Sequence, residues 1–233
     1  MDRVIHHAVV DAVALDRGGA HALFIENFGD VPFTKGPVGP ETVAAMCAVA
    51  RALQEKVKLP IGFNVLRNDA RAALALCAIC RGSFIRINVH TGAMMTDQGL
   101  IEGNAHETVR YRRHIAPLTQ IFADVHVKHA TPLGQTSIES SARDTIERGL
   151  ADAVIVSGTG TGQATDLAEL ERVRRAVPKA RILIGSGVTS DNVKNYLQHA
   201  DGVIVGTSLK FGGHVGKHVD AKRVAALARL IES

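Results

Sequence analysis

Ile121-Phe-Ala-Asp-Val-His-Val-Lys-His129 is the stretch whose reading decides the fold. A β-strand alternates its side chains between two faces. Ala123, Val125 and Val127 therefore share one face, and Asp124, His126 and Lys128 share the other. The apolar face suits covering helices. The second carries an acid, an imidazole and an amine in a row, where a strand buried between helix layers would be apolar on both sides. In a β/α barrel, catalytic groups sit on inward positions near the C-terminal strand ends. The stretch reads as a barrel strand that points chemistry into a pocket.

Outward from it, strand signals alternate with helical periods. Residues 4–18 read as a helix stopped by Gly18-Gly19, and Ala22–Glu26 as a buried strand. Pro40 opens a helix to about Val57, a first-turn position that suits proline. Ile61–Leu66 and Phe84–Val89 read as strands around a helix from Asp69 to Cys80. The connection from Thr91 to Gly103 is long for a βα loop and is expected to be an active-site lid. A helix over 104–114 leads into the opening stretch, and Thr136 or Ser137 starts another that runs to Gly149. Strands follow at 153–157, 182–185 and 202–205, with helices at 166–177, 191–197 and from Asp220 to Ile231. No linker or composition shift divides the series, so residues 1–233 are expected to be one domain. Seven strands alternating with helices call for a parallel sheet with right-handed crossovers. Polar strand ends recur in unit after unit, which favours a TIM (β/α)8-type barrel over an open doubly wound sheet. Because the chain opens on a helix, that barrel lacks its first strand.

Bulk properties narrow the function. The 233 residues carry 27 Lys+Arg against 23 Asp+Glu, a modest excess of +4 that favours a small anionic ligand. Aromatics are 4% and Trp is absent, so no stacking surface for nucleic acid is expected. Three cysteines argue against a disulfide framework and for a reducing, cytoplasmic setting. No apolar run is long enough to span a bilayer, and the first residues lack the shape of a signal peptide. Cys77 and Cys80 sit late in an apolar helix and read as core. Arg110–His114 reads as a solvated helix face, with attraction to an acidic membrane surface as the sharper alternative.

Two consecutive strand ends carry Gly185-Ser-Gly187 and Gly206-Thr-Ser208. In β/α barrels the loops after the last two strands often hold phosphate on backbone amides, which glycine lets approach closely. A small phosphorylated ligand is therefore expected at Gly185, Ser186, Gly187, Gly206, Thr207 and Ser208. Ser157-Gly-Thr-Gly-Thr-Gly162 lacks the third glycine of a dinucleotide loop, and Ser157 and Thr159 are candidates for phosphate or hydroxyl contacts instead. Glu26, Asn27, Asn64, Arg67 and Asn88 lie at or near further strand ends as ligand contacts or supporting groups. Arg86, lower on its strand, is expected to form an ion pair inside the barrel, because an isolated buried charge is very costly. His126 has a reference pKa near neutrality and is the expected proton shuttle. Asp124 and Glu26 are supporting carboxylates. Lys128 serves as an electrophile, or as an imine-forming amine if desolvation lowers its pKa. Asp124, His126 and Glu26 offer donors for a divalent metal, but their spacing matches no zinc pattern, and no cofactor is expected.

Several blocks closely resemble the BtpA/SgcQ family: Glu26-Asn-Phe-Gly-Asp30, Val38-Gly-Pro-Glu-Thr42, Thr96-Asp-Gln-Gly99, Asp124-Val-His-Val-Lys-His129 and Gly185-Ser-Gly-Val188. So do residues 64–69 and 200–210, and the likeness runs in order from about residue 5 to the end. The resemblance implies a β/α barrel of the phosphate-binding kind. It also implies links to photosystem I biogenesis at the thylakoid surface for some members, and to sugar-phosphate operons for others. Members generally carry a strand-like segment before the first helix. The expectation is therefore either a shortened start or a seven-stranded barrel with an open seam, whose unpaired edges would favour association between copies. Together these readings predict an enzyme using acid/base chemistry on a small phosphorylated or sugar-like metabolite. The alternative is an assembly factor that associates peripherally with a membrane.

Overall fold

Helix and strand alternate from the first residues, as the hydrophobic periods require. The computed structural model describes residues 1–134, 136–158, 160 and 162–233. In chain order the elements are α1 (Asp2–Arg17), β1 (Leu23–Glu26), α2 (Pro40–Gln54), β2 (Ile61–Asn64), α3 (Ala70–Cys80) and β3 (Phe84–Ile87). Then come β4 (Ala93–Thr96), β5 (Gly99–Glu102), α4 (Ala105–Ile115), β6 (Gln120–Val125), β7 (Ala130–Pro132) and α5 (Ile138–Arg143). A π-helical turn, Asp144–Arg148, extends α5. The chain closes with β8 (Ala153–Val156), α6 (Leu167–Ala176), β9 (Arg181–Ile184), α7 (Val193–Tyr196), β10 (Gly202–Val203) and α8 (Ala221–Glu232).

Seven strands pair in parallel in the order β1-β2-β3-β6-β8-β9-β10. Arg86 on β3 shows that this sheet curls. Its Nη1 lies 3.6 Å from Glu26 Oε1 on β1, two strands away. A Cβ built on Gly185, after β9, would lie 3.3 Å from its Nη2. In a flat sheet that second separation would be about 14 Å, three strand spacings. The strand ring is not closed among the described residues: β1 and β10 each pair on one side only. The helix layer does meet across this seam. Gly18, ending α1, approaches α8 so closely that a Cβ there would fall 2.4 Å from Val224 Cβ.

The outward face is the apolar core. Ile61, Phe63, Ile85, Ile121 and Ala123 are almost wholly buried against α2, α3 and α4, and Val154, Ile182 and Ile184 against the later helices. Each large side chain of this set contributes about 1.5–3 kcal/mol by leaving water. The inward face has two layers. The lower is aromatic, with Phe84 edge-on to Phe24 at 4.7 Å and stacked on Phe122 at 5.1 Å. Gly62 makes room for it, because a Cβ there would sit 1.9 Å from the Phe84 ring. The upper layer, one alternation on, is polar: Glu26, Asn64, Arg86, Asp124 and Ser157.

The structure corrects three sequence expectations. The strand that opens at Gln120 ends at Val125, not His129, because His126 takes a left-handed backbone (φ 51). The connection after β3 is no bare lid. It folds as the hairpin β4–β5, which β7 joins as a third antiparallel strand. Val89, Met94, Ile101 and Val127 give this small sheet its own apolar cluster, and Gly99 (φ 90) its turn. The helix expected from Ser137 to Gly149 is α-helical only to Arg143 and then widens into the π-turn.

Candidate functional site

Alternation puts one polar side chain from each of several strands at the upper rim. Arg86 is the hub. Its Nε donates to Asp124 Oδ2 and its Nη2 to Asp124 Oδ1, both at 2.8 Å, with the two side chains 3% and 0% exposed. Burial works against the Arg86 charge, but Asp124 and Glu26 outweigh it and raise the guanidinium pKa above its usual value. Ser157 Oγ donates to Asp124 Oδ1 at 3.2 Å, and Asn88 Nδ2 lies 3.4 Å from Oδ2. Asn64 Nδ2 donates to Glu26 Oε1 at 2.8 Å. The sequence reading foresaw Arg86 only as a core ion pair. The run Phe84, Arg86, Asn88 was the signal that it shares a face with Asp124.

Lys128 joins this layer from the turn after β6. Arg67 Nη2 donates to its carbonyl at 2.8 Å. Burial lowers the pKa of the half-buried Lys128 amine, helped by the nearby Arg86 and Arg67 and opposed by Glu26 and Asp124. Among the described residues the amine has no hydrogen-bond or ion-pair partner. Burial also lowers the pKa of Arg67. Asn64 Oδ1, Arg67 Nε and Asn88 Oδ1 are buried with no partner among the described residues, an unusual concentration of open hydrogen-bonding capacity.

His126 departs from the expected row. Its positive φ ends the strand alternation and turns the ring toward α5, where Nε2 lies 3.0 Å from Ser141 Oγ. Burial lowers its pKa, and the charges that act on it are Glu169, Glu139 and Arg172, on the helix side. A small cavity of about 90 Å³ under the hairpin is lined by both Asp124 and His126, together with Asn88, Met94 and Ser141. Asp124 and His126 thus border one cavity, whose lining does not include Lys128; the amine is linked to Asp124 through the charges of the polar layer. Asp124, His126 and Glu26 are likewise not gathered as metal ligands. Among the described residues, the group whose ligand atoms converge is His7, Asp11 and His218.

The two glycine loops are brought together, since Ser208 Oγ donates to Val188 O at 2.6 Å. That commits the Ser208 hydroxyl. The Ser186 hydroxyl is committed too, accepting from Gly158 N and donating to Gln163 O. The amides of Ser186, Gly187, Gly206, Thr207 and Ser208 have no acceptor among the described residues. Gly185 abuts Ser157 and Arg86, which places this rim beside the polar layer. Asn27 is a strut, not an open contact: its Oδ1 accepts from Leu66 N at 2.7 Å and its Nδ2 reaches Asp30. Thr159 lies outside the described residues. Asp69 caps α3 by accepting from Ala72 N.

The model of the BtpA family matches residues 1–233. The photosystem I biogenesis protein BtpA of Synechocystis is 48% identical over 223 residues, covering 96% of this chain and 78% of that protein. The sgc region protein SgcQ of Escherichia coli is 36% identical over 227 residues, 97% of this chain and 83% of its own length. Among solved structures, the chain is similar to phosphoribosyl anthranilate isomerase from Thermus thermophilus, with a TM-score of 0.62 over 96% of this chain and 94% of that one. At 16% identity that likeness speaks for the barrel fold alone.

Proposed function

The chain belongs to the BtpA family, and from that premise we propose that it is an enzyme acting on a small phosphorylated or sugar-like metabolite. The observation that carries this reading is Lys128. Its amine is half-buried, unpaired among the described residues and lowered in pKa, beside the Arg86–Asp124 pair. An amine in that condition accepts a proton more readily at a given pH than an ordinary lysine does, and its ammonium form meets developing negative charge. Lys128 therefore takes the acid/base role that the sequence pattern gave to His126. Asp124 and Glu26 are the supporting carboxylates. The unpaired atoms of Asn64, Arg67 and Asn88 meet substrate hydroxyls. The amides of residues 186–187 and 206–208 grip the phosphate.

A thermal-shift panel of inorganic phosphate and aldose and ketose phosphates, with and without divalent metal, tests it. At least one sugar phosphate is expected to raise the melting temperature in a concentration-dependent way. Lys128→Met should keep the response to inorganic phosphate and lose the extra response to the sugar. A folded protein that answers to no phosphate compound overturns the reading.

A second reading, an assembly factor at a membrane surface, draws on the name of the Synechocystis relative and on an open groove of about 580 Å³ lined by Arg110, Arg113 and Arg148. No helix among the described residues is long and apolar enough to cross a membrane, so any attachment by helices would be peripheral. Salt-sensitive co-sedimentation with anionic vesicles, lost when those arginines become glutamine, would favour it.

A further inference from the structure

Away from the barrel mouth, a second set of titratable side chains converges where the strand ring is open. His7 and Asp11 are one turn apart on the same face of α1. His218 reaches them from the segment before α8, and ligand atoms of the three lie within 4.8 Å of one another. The His7 and His218 rings stand 3.8 Å apart between centroids, tilted by 46°. Asp11 Oδ1 lies 2.8 Å from His218 Nδ1 and accepts from Val219 N at 3.0 Å. Its Oδ2 accepts from Lys210 Nζ at 3.2 Å.

We infer that His7, Asp11 and His218 bind one zinc-class divalent cation, which ties the first helix to the last unit across the open seam. The donor set selects the metal. Two imidazoles with one carboxylate suit zinc and its neighbours, whereas magnesium and calcium want oxygen. Zinc bonds of about 2.0–2.2 Å put tetrahedral ligands roughly 3.4 Å apart. Reaching that spacing from 4.8 Å or less asks for rotation of the exposed His7 side chain and a slight opening of the 2.8 Å contact between Asp11 and His218. The carboxylate already attracts positive charge, since Lys210 sits on it. The metal displaces that ammonium from Oδ2, while Lys210 retains its bond to Lys217 O at 3.0 Å. Water completes the fourth position.

The location gives the site its role. β1 and β10 leave the strand ring open, so the first helix and the last unit are joined there by helix packing and by the hydrogen bonds of Asp11. A metal between α1 and the segment before α8 acts as a clip built from residues other than those assigned to the barrel mouth.

The test titrates zinc into the chelator-stripped full chain by calorimetry, with cobalt absorption as the coordination probe and magnesium as the control. One ion per chain is expected, with a rise in melting temperature, a tetrahedral cobalt spectrum and no sulfur-to-cobalt charge-transfer band. His7→Ala, at an exposed position that leaves the fold intact, should weaken zinc at least about tenfold, as should His218→Ala. Lys210→Met should tighten it, because the competing ammonium is gone. Absence of binding, binding unchanged in His7→Ala, or a charge-transfer band that assigns the metal to the neighbouring thiols of Cys47 and Cys80 would each overturn the inference.

Discussion

Arg86 and Asp124 face each other from adjacent strands as a two-pronged pair, Nε to Oδ2 and Nη2 to Oδ1 at 2.8 Å each. Their charges cancel in a layer that would otherwise hold a bare guanidinium over three phenylalanine rings. A buried pair of this kind adds little net stability relative to apolar residues of the same shape, but each partner depends on the other. Asp124→Asn, or Arg86→Met alone, is therefore expected to cost about 3–5 kcal/mol. The double substitution Arg86→Met with Asp124→Leu should recover most of it. Urea unfolding of the four proteins measures the coupling directly, and additive single losses would show that the pair is not a unit.

Lys128 should titrate below the ordinary lysine value of about 10.4, because burial and the two neighbouring guanidinium groups disfavour its charged form. NMR of reductively methylated protein resolves this one amine by its loss in Lys128→Met. A reaction that uses the neutral amine should rise with pH through that lowered pKa. His126→Ala should leave the response to sugar phosphates within about twofold, since its ring bonds Ser141 on α5 and none of the groups assigned to the ligand.

His90 makes stability depend on pH. It is 1% exposed, and Nε2 lies 2.8 Å from Gly149 O. Burial holds its folded pKa below the unfolded value of about 6.5. The unfolded chain then binds the proton more readily. Its contribution to stability is intact above about pH 6.5 and is lost as pH falls through the folded pKa. His126 and Asp11 act in the same direction, so the quantity to measure is the difference between wild type and His90→Gln in chemical unfolding from pH 7.5 to pH 5. A difference that does not change over that range would rule out a neutral buried His90.

Gly187→Ala tests the amide rim. Gly187 has φ +70, and a Cβ there would fall 2.1 Å from Gln163 O. The substitution is expected to cost about 1–3 kcal/mol and to weaken the response to inorganic phosphate by a larger factor than to the non-phosphorylated sugar. Gly62→Ala, which drives a methyl into the Phe84 ring, should destabilise the barrel floor while leaving the ratio of the two responses unchanged. Equal changes in both variants would remove the case for an anion grip.

Hydrophobic period and strand alternation were enough to place the parallel barrel, the order of its units and the inward polarity of Asp124, because those patterns are local and repeat every two or 3.6 residues. The positions of the two glycine loops were legible too, because each directly follows a strand in the sequence. His126 was not. Its side of the sheet depends on one left-handed residue where the strand meets the hairpin, and alternation says nothing about a strand that has ended. Nor could periodicity show that Arg67 holds the Lys128 carbonyl, that β7 returns to a hairpin, or that His218 meets His7 and Asp11 from more than 200 residues away. Those relationships join residues remote in sequence, and only the closing of the helices around the curled sheet decides which of them touch.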